Sequence, residues 1–374
     1  MRSILFRQKH FFQILHSFDP NKGPLDLFIS RYFRSHPQLG SKDRLFIVER
    51  LYTFFRWKSL LEGKEEEALF ELLEKDLSTY GNTSLEEHVR VSFPKDLFEA
   101  LQRRWKEKTL SICFASNKEA PITLRTNSMK ISRKELIERL QSSGIEAKEN
   151  PQGKDAITLS RRLNVWILPE FKEGFFEMQD AGSQKVAELI EVKPGDSFLD
   201  YCAGSGGKAL ACAPKMKNRG QIFLHDIRPK ALQEAKKRLK RAGIQNAQCI
   251  LNNEKKRLKL LKGRMDFVLV DVPCSGTGTL RRNPDMKWLF SSEKLASLIK
   301  EQREIFDQAF SFVRAGGTII YATCSLLAEE NEEQIEHFLS RYPLKIVGEP
   351  FQSVPEDGKM DGFFAVCMQK RENT

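Results

Sequence analysis

Two cysteines are the residues best suited to covalent chemistry in this sequence of 374 residues. Cys324 lies in YATCSLLAEEN, where the apolar run Thr318-Ile319-Ile320-Tyr321 ends and an acid-rich, helix-favouring stretch begins at about Ser325. A thiol at such a strand-to-helix junction is expected to feel the positive end of the coming helix dipole, which favours the nucleophilic thiolate. Taken alone, the same cysteine reads as a small hydrophobe filling a gap, the usual state of a free thiol. Cys274 closes a second apolar run, MDFVLVDVPC, at a comparable place. Whether the pair does chemistry depends on what stands around it.

A third run, DSFLD, opens into the small-residue turn CAGSGGK at 202–208. A phosphate-cradling loop needs glycine five residues before Gly207 and Ser or Thr after the lysine, and those positions hold Cys202 and Ala209. A dinucleotide fingerprint tolerates Gly204, Gly206 and Ala209, so glycine spacing leaves it open. Charged Asp200 just before the turn and the lack of a nicotinamide-site signature weigh against it. The pattern D-x-x-x-G-x-G after a first strand fits S-adenosylmethionine, with small residues admitting the methionine part and an acid on the next strand for the ribose hydroxyls. Asp226, ending QIFLHDI, is that acid; it also suits a cap for the helix RPKALQEA.

The fourth strand decides more. Methyltransferases acting on exocyclic amines place D/N-P-P-Y/F there, whereas this chain has Asp271-Val272-Pro273-Cys274. A thiol beside the base suggests attack on carbon. C5 of cytosine is a poor nucleophile until a thiolate adds to C6 and pushes electron density onto C5, a covalent route that divides one hard step into easier ones. The route also needs an acid near N3 and N4, and a base for the C5 proton. Asp271 is placed for the first, and Cys274 or Cys324 for the thiol roles.

These residues need a scaffold, and the hydropathy pattern supplies one. Residues 1–115 repeat apolar side chains every three or four positions in LDLFISRYF, DRLFIVERLYTFFRWKSLL, EEEALFELLEKDL and PKDLFEALQRRWKEK, predicting an all-helical domain. Ser41, Asp43 and Pro94 mark helix starts. Residues 118–178 read as a small α+β module: strand ITLRTN, helix SRKELIERLQSSGI, and strands AITLS and VWILPEF. Such a sheet with a basic rim suits RNA contact and equally suits a spacer. From 179 to 372 strands alternate with helices, predicting an α/β domain with a mostly parallel sheet and helices on both faces. In such sheets ligands sit at the carboxyl ends of strands, where the glycine turn and both cysteines fall.

Composition sets the outer limits. Hydrophobic residues at 40% and charged residues at 30% describe a globular protein, and the net charge of +11 favours a polyanionic partner, nucleic acid before membrane surface. Seven scattered cysteines without CxxC spacing exclude a disulfide framework and a structural zinc site; no metal is expected. The start MRSILFRQKHFFQILHSF is interrupted by Arg7, Lys9 and His10, so it reads as an amphipathic helix rather than a signal peptide, and a cytoplasmic monomer is expected.

The segments FFEMQDAGSQ, DYCAGSGGK, DVPCSGTGTLRRNPDMKW, YATCS and DGFF run in the order found in the RsmB/Nop2/Sun family of RNA cytosine-C5 methyltransferases, which the catalytic half resembles. The resemblance implies a Rossmann-like fold, S-adenosylmethionine as cofactor and RNA as substrate. It implies Cys324 as nucleophile and Cys274 as the residue that releases the product, with Asp271 between cofactor and base and Lys208 near the target. Cys202, Ala203, Gly204, Ser205, Gly206, Gly207, Lys208, Asp226, Asn253 and Asp271 are then the cofactor-binding set. Two departures stand out. The family's first motif usually reads CAAPGGKT, and Ser205 with an extra glycine should loosen the turn. Where the family has an acid after the third strand, Asn252 and Asn253 stand, and an asparagine carbonyl still accepts a hydrogen bond. The helical start PLDLFISRYFRSHPQLGSKDRLFIVERLYTFFRW resembles the NusB-like domain of the bacterial 16S rRNA member, implying phosphate contacts through Arg31, Arg34, Lys42 and Arg44 or else plain surface charge. The alternatives are the same chemistry on tRNA, a non-catalytic RNA-binding assembly factor and, more remotely, an NAD-linked oxidoreductase that leaves both cysteine motifs unexplained.

Overall fold

The computed structural model describes residues 4–79 and 84–372. The chain divides into two compact units, one holding the residues up to 119 with 275–296, the other 120–274 with 297–374. No helix among the described residues is long and apolar enough to cross a membrane.

The first unit is helical, as the periodicity predicts. In Leu25–Ser35 the buried residues Leu25, Ile29 and Phe33 recur every fourth position, so one stripe faces the core. Helix Ser41–Arg56 buries Ile47, Leu51, Phe54 and Phe55, and Asp43 Oδ2 accepts the Gly40 N–H at 3.2 Å at its start. Helix Lys95–Trp105 follows Pro94 directly. The EEEALFELLEKDL pattern yields only the short helix Glu66–Leu72.

The segment 275–296 departs from the sequence reading, which runs one catalytic region unbroken from 179 to 372. Its polar side chains cap the helices of the first unit, and this is why it clusters there. Asp285 Oδ2 accepts the Leu25 N–H at 3.2 Å, at a helix start whose own preceding residue, Pro24, offers no side-chain cap. Lys287 Nζ donates to Arg56 O at 2.6 Å and Asn117 Oδ1 at 2.8 Å, and Trp288 Nε1 donates to Phe55 O at 2.8 Å. The Lys287 amine thus meets a carbonyl at the carboxyl end of helix Ser41–Arg56, while burial pulls its pKa well below the ordinary value.

In the second unit a small antiparallel sheet has the order β2-β3-β1-β4, formed by β1 (Ile122–Thr126), β2 (Ala147–Glu149), β3 (Ala156–Leu159) and β4 (Phe176–Met178). Helix Arg133–Ser142 starts on the hydroxyl of Ser132, which accepts the Glu135 N–H at 3.2 Å. The strand predicted in VWILPEF is a 3₁₀ turn, Val165–Ile167, followed by one helical turn from Pro169 to Lys172. Apolar β-formers mimic a strand there, but proline opens a helical turn, and the pairing strand comes later at Phe176. The sequence reading sets 118–178 apart as a module; in the structure 120–178 clusters with the large sheet. Asn127 Nδ2 ties them, donating to Ala242 O at 2.9 Å.

The large sheet has the order β10-β12-β9-β8-β5-β6-β7, with β11 paired to β12. Its members are β5 (Ser197–Asp200), β6 (Gln221–Asp226), β7 (Ala247–Leu251), β8 (Met265–Asp271), β9 (Val313–Thr323), β10 (Leu344–Ile346), β11 (Phe351–Gln352) and β12 (Phe364–Lys370). The pairings from β7 through β9 are parallel and those of β12 antiparallel, the mostly parallel sheet expected. Helices include α1 (Gly207–Met216), α2 (Pro229–Ala242), α3 (Ser292–Phe310) and α4 (Glu332–Arg341). The chain runs outward from β5 to β6 and β7, then returns to place β8 on the other side of β5. That reversal makes the carboxyl ends of β5 and β8 the topological switch point, the ligand position in doubly wound sheets. Register pairs Asp200 with Leu224 and Leu269, and Asp271 with Ala322, so these strand ends lie in one row.

Candidate active site

The row of strand ends brings the predicted residues together. After β5 the chain turns through 201–206 and enters α1 at Gly207, with Gly204 and Gly206 at φ +53° and +79°. Both lie in the left-handed region, which glycine adopts without a Cβ clash. A Cβ on Gly206 would stand 3.0 Å from Leu224 Cδ2 and 3.3 Å from Ala235 Cβ, so the turn rests directly on β6 and α2. Around Gly207 there is room: the nearest atom to its added Cβ is Gln179 Nε2 at 3.8 Å. With glycine at 204, 206 and 207 the turn presents backbone without side-chain bulk, as the S-adenosylmethionine expectation for 202–208 requires.

Asp226, at the end of β6, is almost fully buried. Its Oδ2 accepts the Gly204 N–H at 2.7 Å, and Oδ1 accepts the Arg228 N–H at 2.8 Å. Arg228 also donates through Nε to Oδ1 and Nη2 to Oδ2, each at 2.9 Å. Burial pushes the carboxyl pKa up, but Arg228 and the two backbone donors outweigh it and hold it below the usual value. Asp226 therefore holds the turn through Gly204 and orders Arg228 just before α2, whose own N-cap residue is Arg228 rather than Asp226.

Lys208, on the first turn of α1, is buried and forms an ion pair with Asp271 at the end of β8. Burial pulls the ammonium pKa down, yet Asp271 and then Asp200 more than offset it and leave it raised. Asp200 beneath them is fully buried, and burial followed by repulsion from Asp271 pushes its pKa up to about 7. The Cys202 thiol is pushed well up, first by burial and then by Asp200, Asp271 and Asp226, so it stays a neutral thiol in the turn. Asn253 is exposed in the turn beyond β7. The acid at that strand end is Glu254, whose Oε2 accepts the Leu251 N–H at 2.8 Å.

Because Asp200 binds its proton more tightly folded than unfolded, stability falls as pH rises from about 4 to about 7 and levels off above. The Asp200→Asn variant is expected to lose this slope, worth at most about 4 kcal/mol. Melting temperatures of both proteins across pH 4–8 check it.

Cys274 and Cys324 lie at the ends of the adjacent strands β8 and β9, with their sulfurs 3.4 Å apart. Cys324 does not sit at a helix N-terminus: a loop follows β9, and α4 begins only at Glu332. The helix-dipole expectation is thus corrected, and the acid-rich stretch has another use. Ser325 Oγ donates to Glu330 Oε2 at 2.5 Å, and Thr323 Oγ1 donates to Asn331 Oδ1 at 2.6 Å. Gln302 Nε2, from α3, donates to Glu330 Oε1 at 2.9 Å and Pro273 O at 3.0 Å. Gln334 Nε2 then donates to Gln302 Oε1 at 2.8 Å. Every residue of this network is buried apart from Pro273, and it joins the loop after Cys324 to the residue before Cys274. A fully satisfied polar network in low dielectric holds its members in one arrangement. Sequence reading misses Gln302, Glu330 and Asn331 as the buried partners around the two cysteines; the acid-rich stretch at 329–333 hinted at the latter two, and nothing near Gln302 did.

A family model described as 16S rRNA methyltransferase RsmB/F matches residues 187–369, and a second, the ferredoxin-like domain of RsmF/B-like methyltransferases, matches 93–166. Ribosomal RNA small subunit methyltransferase B of Klebsiella pneumoniae subsp. pneumoniae is 36% identical over 304 residues, covering 76% of this chain and 67% of its own length. The protein of that name from Photorhabdus laumondii subsp. laumondii is 33% identical over 324 residues, covering 84% and 73%. Among solved structures, a methyltransferase homolog protein from Pyrococcus horikoshii superposes with a TM-score of 0.67 at 26% identity, covering 76% of this chain and 97% of that one.

Proposed function

The chain belongs to the RsmB/F family of S-adenosylmethionine-dependent RNA methyltransferases, and from that premise we propose that it methylates C5 of a cytosine in 16S rRNA through a covalent adduct on Cys324. The observation that carries this reading is the 3.4 Å approach of the Cys274 and Cys324 sulfurs, on strands next to the Lys208–Asp271 pair. One thiol alone has a bland explanation, whereas two at adjacent strand ends beside a cofactor cradle match a reaction needing a nucleophile and a base.

Cys324 Sγ bonds to C6 of the flipped cytosine, and the C5–C6 π electrons move toward C5 and the N3–C4 amidine. Asp271, paired with the Lys208 ammonium, is assigned to the N3 and N4 edge, its carboxylate accepting from the N4 amine while the proton and charge of Lys208 offset the negative charge that the adduct accumulates. When bound, S-adenosylmethionine supplies an electrophilic methyl on a sulfonium for the C5 carbanion. Cys274, as a thiolate at this step, then takes the C5 proton and becomes a thiol; the C5–H electrons restore the C5–C6 double bond and expel the Cys324 thiolate. The turn 202–207 and Asp226 are assigned to hold the cofactor, with Asn253 at the adenine side. One thiol releasing what the other attached accounts for the need for both.

The net charge of +11 supports a polyanionic substrate. Arg31, Arg34 and Lys42 are exposed and available for phosphate contacts. Arg44 is committed elsewhere, with Nε donating to Leu39 O at 2.9 Å and Nη2 to Phe33 O at 3.3 Å. The reading puts the protein in the cytoplasm with its rRNA.

Unmodified small-subunit rRNA incubated with the protein and methyl-labelled S-adenosylmethionine, then digested to nucleosides, tests the proposal. Label is expected in 5-methylcytidine. Label in N4-methylcytidine or a 2′-O-methyl nucleoside would contradict it.

A further inference from the structure

Ser205 stands where the family's first motif has proline, and the structure fills that loss from an unexpected direction. Arg238, on α2, donates through Nη1 to both Ser205 O at 2.8 Å and Ser205 Oγ at 2.6 Å. Its Nε donates to Glu177 Oε2 at 3.1 Å, and Arg241 Nη2 donates to Glu177 Oε1 at 2.5 Å. The Glu177 side chain is 5% exposed and that of Arg238 14%, so the bridge is shielded from water and salt. Glu177 lies on β4 directly opposite Arg125 of β1, and Arg125 Nη1 donates to Gly207 O at 3.1 Å. The turn is therefore gripped at both ends, at Ser205 by Arg238 and at Gly207 by Arg125. Ala235, three residues before Arg238 and on the same helix face, packs under Gly206.

A proline narrows a turn by fixing φ, and a serine flanked by glycines has no such limit. Two hydrogen bonds from a rigid guanidinium fork restrict the same residue by contact instead. We propose that Arg238, oriented by Glu177, is a positioning residue that sets the cofactor turn, replacing with the Glu177–Arg238–Ser205 bridge the constraint a proline would give. The inference rests on the assignment of 202–208 to S-adenosylmethionine.

The test measures S-adenosylmethionine affinity by calorimetry, and KM for the cofactor against kcat, in Arg238→Ala, Arg238→Lys, Ser205→Ala and the Arg238→Ala/Ser205→Ala double variant, with melting temperatures recorded alongside. Losing a charge-assisted pair is expected to weaken cofactor binding roughly tenfold in Arg238→Ala, with the change in KM rather than kcat. Ser205→Ala keeps the carbonyl contact and is expected to lose about threefold. The double variant is expected to bind no worse than Arg238→Ala, because both substitutions break the same bond. Arg238→Lys, with one donor group in place of a fork, falls between. Lower melting temperatures with unchanged cofactor affinity would overturn the proposal, leaving Arg238 as packing alone. If Arg238→Ala does not fold, Ser205→Ala decides the matter, since it removes one oxygen atom. Wild-type protein that binds no S-adenosylmethionine would instead contradict the cofactor assignment, a separate failure.

Discussion

Cys324→Ala is expected to lower the rate of methyl transfer by about 10⁴ or more, while cofactor affinity stays near that of the parent. Without addition to C6, C5 of cytosine lacks the electron density to take a methyl group, so no slower version of the same route remains. Cys274 lies close, its sulfur 3.4 Å away, but it does not substitute. It stands on the neighbouring strand, with the preceding Pro273 carbonyl fixed by Gln302, so its approach to the ring differs. The segment 202–208, to which cofactor binding is assigned in the proposal, follows β5, apart from the strand that carries Cys324, and this separates the expected effect on chemistry from any effect on binding. Stopped-time transfer assays at saturating cofactor, with calorimetry on the same variant, check both halves.

Cys274→Ala is expected to behave in the opposite manner: the first methyl transfer proceeds, and turnover then falls by about 10² to 10⁴, the usual contribution of a positioned acid or base. Attack and methylation need only Cys324 and Asp271. Elimination needs a base at C5, and the thiol next to the attached sulfur is the group lost. The enzyme should therefore stall as a methylated covalent complex. A burst of one methyl group per protein molecule, followed by near silence, is the kinetic form of this result.

Much of this arrangement is legible in the sequence because strand ends are easy to find. MDFVLVD and GGTIIYAT are continuous apolar runs, as strands buried on both faces must be, and the motif residues sit where those runs stop. Asp200, Asp226, Asp271 and both cysteines could be placed from that rule alone. What escaped is what polar residues do once buried. The helix RPKALQEAKKRLKRAG reads as part of the basic excess that favours a polyanionic partner, yet Arg238 and Arg241 pair with Glu177. EENEEQ reads only as acid-rich and helix-favouring, yet Glu330, Asn331 and Gln334 are fully buried. Charge pattern gives the face of a helix only when the partners are known, and here they come from distant elements. The same limit hides the capping role of Asp285 and Lys287, whose partners Leu25 and Arg56 lie more than 200 residues away in the chain. VWILPEF failed for a different reason, since apolar β-formers around a proline satisfy two local patterns and only the pairing at Phe176 decides between them.

The most direct test of the central claim compares Cys274→Ala with the Cys274→Ala/Cys324→Ala double variant, each incubated with S-adenosylmethionine and unmodified small-subunit rRNA and run on a denaturing gel. The two-thiol mechanism predicts a denaturation-resistant protein–RNA adduct in the single variant that vanishes in the double. An adduct that persists without Cys324, or methylation by Cys274→Ala at full turnover with no adduct, would contradict it.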